Sequence, residues 1–137
     1  TYRLFGKGFD MSVAGSYSFK IQRGANDSRL LTVKSNGVAI NLTGWTPRLQ
    51  IRSEEGATGV TTDDTLLLEM TPANGLVITD AVDGEITLAF TPEQTQTINP
   101  ANEYVRLSYG LEIFTTSPAF VRSLLTGTIT VVPEVVR

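Results

Sequence analysis

The chain has 137 residues, 11 basic and 14 acidic side chains, and a formal charge of −3. It contains no cysteine and no histidine, which excludes disulfides, thiolate metal sites, cysteine nucleophiles, the Ser-His-Asp triad and the commonest general base. The basic residues are scattered, which argues against nonspecific nucleic-acid binding, and no apolar run approaches the ~20 residues of a membrane span.

A chain of this length is most simply one domain, able to bury roughly two thirds of its unfolded surface without staples. TYRLFGKGFD at the N-terminus lacks the long apolar centre of a signal peptide. Tyr2 to Phe9 reads as an arm or a short edge strand, because Gly6 and Gly8 interrupt its apolar residues. Tyr17 to Gln22 alternates, with Tyr17, Phe19 and Ile21 on one face of a half-buried strand. Arg23 to Asp27 is a turn and Leu30 to Lys34 the next strand. Asn36-Gly37 then makes a tight hairpin turn into Val38 to Leu42. Asn41 to Gly44 forms a corner.

Trp45, Pro47, Leu49 and Ile51 face the core from a strand ending at Ser53, with Arg48 and Arg52 on the solvated side. Pro47 cannot donate to a sheet ladder, so the strand begins near it or lies at an edge there. Glu54 to Thr65 has no period and is the longest loop. Leu66 to Thr71 and Leu76 to Ile78 are strands separated by the turn at Pro72-Ala73-Asn74-Gly75. Asp83-Gly84 turns into Glu85–Phe90, which places Ile86, Leu88 and Phe90 on one face. Thr91 is a good N-cap, Pro92 suits the first helical position, and Glu93 and Gln94 favour the first turn. Glu103 to Thr115 is a long strand with Val105, Leu107, Tyr109, Leu111 and Ile113 inside. Thr116-Ser117-Pro118 turns into a last strand, Ala119 to Val132, with Gly127 as a candidate bulge.

Short strands with turn signals every 8–12 residues predict an all-β fold, an immunoglobulin-like β-sandwich of about 7–9 antiparallel strands with one short helical turn. The expected division is an N-terminal arm or edge strand at 1–16, a single sandwich domain at 17–132 and a C-terminal tail at 133–137.

Candidate chemistry is sparse. Asp80, Asp83 and Glu85 offer oxygen ligands to a cation, but their spacing is not that of an EF-hand and a polar turn is the better reading. Glu54, Glu55, Asp63 and Asp64 are carboxylates for acid/base work on a sugar, or simply a solvated acidic loop. Asn26-Asp27-Ser28 and Asn41-Leu42-Thr43 match the glycosylation triplet, which chance often produces. The expectation is a non-enzymatic protein with no cofactor, no metal and no small-molecule substrate.

Five segments in order, FKIQRG, INLTGWTPRLQIR, DGEITLAFTPEQTQTI, YVRLSYGLEI and LLTGTITVVPEV, resemble a family of small β-sandwich proteins and domains in the virions of tailed bacteriophages. The N-terminal domain of upper baseplate proteins is one example. The resemblance carries no catalytic residues. It implies a virion structural protein that binds other virion proteins and copies of itself, in the tail, in the baseplate or as a decoration of the capsid. The residues expected to make those contacts are Tyr2, Leu4, Phe5 and Phe9 in the arm and Val135, Val136 and Arg137 in the tail, with strand addition at an open sheet edge as a further route. The alternative is a carbohydrate-binding module for host attachment, which would need Trp45, Tyr104 or Tyr109 exposed in a cleft.

Overall fold

The computed structural model describes residues 15–53 and 66–135, and the backbone alone of residues 8–10. Those residues form eleven strands and one helix: β1 (Gly8–Asp10), β2 (Gly15–Ser16), β3 (Phe19–Gln22), β4 (Asp27–Ser35), β5 (Val38–Ala39), β6 (Thr46–Ser53), β7 (Leu66–Met70), β8 (Leu76–Asp80), β9 (Glu85–Phe90), α1 (Pro92–Thr97), β10 (Val105–Thr116) and β11 (Ala119–Val132). The protein is all-β, built of two sheets. Sheet A has the order β1-β4-β9-β8, with β5 also on β4; sheet B has the order β2-β11-β10-β6-β7, with β3 also on β11.

One apolar core fills the space between the sheets. Sheet A contributes Leu31, Val33, Leu76, Ile86, Leu88 and Phe90; sheet B contributes Leu49, Ile51, Leu107, Leu111, Ile113, Ile129 and Val131. The period-2 patterns therefore reach the faces expected of them, and each such aliphatic side chain contributes about 1.5–3 kcal/mol by leaving water. Arg29 closes the gap between the sheets near β3. Its guanidinium lies 4.4 Å from the Phe19 ring centroid and donates to the Tyr17 hydroxyl (3.1 Å) and the Lys20 carbonyl (2.8 Å).

The segment from Asp83 to Thr97 folds as its local chemistry dictates. Gly84 takes φ +70°, and a Cβ there would also strike the Val33 carbonyl. Thr91 caps α1 in a full capping box: its Oγ1 accepts from the Gln94 amide at 3.1 Å, and the Gln94 side chain accepts from the Thr91 amide at 2.9 Å. Asn36 and Gly37, both at positive φ, form the tight turn between β4 and β5. Pro47 pairs with Ile113 of β10 and lies beyond the first β7 pairing at Leu49, so it sits at the open start of β6 on the β7 side.

Four expectations need correction. The strands are not all antiparallel: β1 pairs parallel with β4, and β2 and β3 pair parallel with β11. Alternation reports which face a residue occupies, not chain direction, and these partners are too distant in sequence for a hairpin to dictate it. β4 starts at Asp27 rather than Leu30, because pairing with β9 extends through Asp27↔Phe90. β5 stops at Ala39, since Leu42 turns inward to full burial and donates its amide to the Ala81 carbonyl (2.7 Å). The bulge of β11 is Leu124, not Gly127: Leu111 opposes Leu125 and Glu112 opposes Ser123. The extra residue lets Leu124 and Leu125 both turn inward. Gly127 has a different role, since a Cβ there would lie 1.9 Å from the Tyr17 carbonyl oxygen.

Candidate interaction surfaces

The sandwich has two unlike ends. At one, Arg23, α1, the α1–β10 connection and the C-terminal segment meet in a hydrogen-bonded cluster. Arg23 donates through Nε to the Asn99 carbonyl (2.6 Å) and through Nη1 to Glu134 Oε1 (2.8 Å). The Gly24 amide donates to Thr95 Oγ1 (2.8 Å), which in turn donates to the Pro92 carbonyl (2.9 Å). Asn99, 2% exposed, donates through Nδ2 to the Glu103 carbonyl (2.7 Å) and accepts from the Glu103 amide (3.3 Å). The Glu134 amide donates to Asn102 Oδ1 (2.7 Å). These bonds satisfy the two buried polar side chains of the region, Thr95 and Asn99.

At the other end the β10–β11 hairpin outruns its neighbours. The last β6 pairing on β10 is Phe114↔Thr46, whereas β10 and β11 continue to pair to Thr116↔Ala119. Phe120 and Val121, 60% and 63% exposed, point to opposite faces of this ribbon. Val121 lies across from Phe114, whose ring centroid is 4.7 Å from the Arg48 guanidinium; Arg48 is ion-paired with Glu112.

The arm residues Tyr2, Leu4 and Phe5 and the tail residues Val136 and Arg137 lie outside the described residues. Phe9 falls in β1, opposite Val33. Val135 is 78% exposed, one residue beyond the anchored Glu134. Sequence reasoning missed both the exposed hairpin tip and the anchoring of Glu134. The first had a signal: Phe120 and Val121 are adjacent apolar residues, which a regular, unbulged strand with one solvated face cannot both bury. The second had none, because Arg23 and Glu134 are 111 positions apart. Among the described residues, β8 ends sheet A and β7 ends sheet B on one side of the sandwich.

The three rings of the carbohydrate reading do not form one platform. Tyr109 is buried, packed edge-on against Phe19 with its hydroxyl donating to the Tyr17 carbonyl. Trp45 is half-buried against the core, while Tyr104 is 72% exposed. Tyr104 precedes the first residue of β10 and Trp45 precedes the partner of Phe114, which puts them roughly 30 Å apart along the sheet. No group of three potential metal ligands occurs among the described residues. Asp80 instead accepts the Asp83 amide (3.1 Å) as part of its turn. Asn41 likewise accepts the Thr43 amide (2.9 Å). Glu54, Glu55, Asp63 and Asp64 lie outside the described residues.

No protein-family model matches the chain, and no curated protein sequence matches it. Solved structures do. The chain is similar in fold to the N-terminal domain of phage TP901-1 ORF48, with a TM-score of 0.57 and 12% identity, over 91% of this chain and 94% of that one.

Proposed function

We propose that the chain is a structural domain of a tailed-phage virion that acts by binding neighbouring subunits, not by catalysis. The observation that carries this reading is the likeness, nearly end to end on both sides, to a domain of a phage protein. The exposed apolar hairpin tip supports it, since Phe120 on one face and Val121 beside Phe114 on the other hold apolar surface in solvent that a protein partner would cover. The partners are other virion proteins and further copies of the chain, and the location is the tail, the baseplate or the capsid surface. The immunoglobulin-like character of the sandwich belongs to the same proposal, supported by two mainly antiparallel sheets around one core.

The test is mass spectrometry and immunogold labelling of purified particles from the phage that encodes the chain, followed by in-particle cross-linking. The expected result is stoichiometric incorporation, gold at one defined position, and cross-links to a neighbouring subunit. Absence of the chain from purified particles would overturn the proposal.

A further inference from the structure

The outer face of sheet B carries a glycine in a central strand with open space above it. Gly110 lies in the middle of β10, with β6 on one side and β11 on the other. Glycine in a central strand costs about 0.5–1 kcal/mol relative to alanine. Five other glycines take positive φ, and at Gly127 the Tyr17 carbonyl leaves no room for a Cβ. Gly110 has neither reason: a Cβ there would meet nothing within 4 Å. A strand glycine marks a bulge, a bend or a place where another molecule approaches the backbone; the β11 bulge at Leu124 lies one pairing away, and the open space over Gly110 leaves room for such an approach.

The pairing registers show what surrounds it. Gln50 and Thr126 lie directly across from Gly110, Ser108 and Glu112 flank it along β10, and Arg48, Arg52, Thr128 and Ser123 complete the corners. The result is a grid of hydrogen-bonding side chains around a central pit. The depression over it measures about 190 Å³, below the ~300–1,000 Å³ of small-molecule sites and suited to one inserted side chain. The Arg52 guanidinium leans over it, with Nη2 donating to Gln50 Oε1 (3.1 Å). Arg106 and Lys20, joined through Thr130, extend the same face. With Glu69 opposite Gln50, the described residues of this face carry four cationic groups and two carboxylates, with Arg48 and Glu112 ion-paired to each other, on a chain of charge −3.

We propose that the outer face of sheet B docks an acidic segment of a partner protein, with one of its carboxylate side chains seated in the pit over Gly110 beside Arg52. The occupant follows from charge complementarity and from the size of the depression. The proposal stands independently of the virion reading.

The test is backbone-amide NMR of the purified chain, titrated with a capped peptide alternating glutamate and threonine. The same peptide with lysine in place of glutamate, and potassium sulfate alone, serve as controls. Amide shifts should concentrate on residues 48–52, 108–112 and 123–128 and weaken as salt rises. Gly110→Val fills the pit with a strand-favouring residue and should melt no lower than the parent, yet lose about tenfold or more in affinity, a 1.4 kcal/mol change. Arg52→Gln should weaken binding while leaving the spectrum of the rest of the chain intact. Any of three results would overturn the proposal: shifts absent or elsewhere on the surface, equal shifts from the lysine peptide or from sulfate alone, or undiminished affinity in folded Gly110→Val.

Discussion

The two ends of the sandwich have solved opposite problems. At the α1 end, chain segments distant in sequence converge, and their buried polar groups are tied together through Arg23, Thr95, Asn99 and Glu134. At the hairpin end, two strands leave their neighbours behind and hold Phe120 and Val121 in solvent. The first end ties distant segments together through buried polar groups, and also exposes Tyr104 and Val135. The second offers surface and contributes little to stability. Substitutions at the two ends should therefore separate folding from binding.

The largest effect should come from Asn99→Ala. It removes a side chain that is 2% exposed and satisfies both the amide and the carbonyl of Glu103, so urea denaturation should show a loss of about 2–3 kcal/mol. Next is Gly24→Ala. At φ +82° an alanine is strained by roughly 1–2 kcal/mol, and its Cβ would displace the Glu134 carboxyl group, which lies 2.7 Å away; thermal melting should follow. Glu134→Gln keeps an acceptor for Arg23 but removes the ion pair, whose side chains are 19% and 24% exposed. Its cost should be no more than about 1 kcal/mol, while hydrogen exchange at Val135 and proteolysis of the tail should both quicken. Smallest for stability is Phe120→Ser with Val121→Ser, expected to move the unfolding free energy by less than about 0.5 kcal/mol. The same pair should reduce cross-linking to the neighbouring subunit in particles. If the hairpin variant unfolds the chain, or Asn99→Ala leaves stability unchanged, the contrast between the ends fails.

How much of this was legible beforehand depended on how far each feature reaches along the chain. The turn at Gly84, the inward face of β9 and the capping box at Thr91 rest on residues within a few positions of one another, and sequence shows them directly. Chain direction was not legible, because β2 and β3 choose their partner β11 from across the whole domain. Glycine signals a bulge at Gly127, whereas Leu124 bulges and buries two successive leucines. The grid around Gly110 belongs to three strands and exists only once their registers are known. Alternation along β6 sets Arg48 and Arg52 outward, but nothing local sets them beside Glu112 and Gln50.

The parallel pairing of β3 with β11 also sets the order of events when the chain is made. Ser18 and Thr128, joined by a hydrogen bond, are 110 positions apart. At ribosomal rates of roughly 5–20 residues per second, the earliest strands wait about 5–20 s for the strand that receives them. During that interval β4 and β9 can pair, while β2 and β3 have nothing of their own to join. A crowded polysome would offer them the finished β11 of a sister chain, and an exchange of N-terminal segments between copies is the misassembly to which this topology is most exposed.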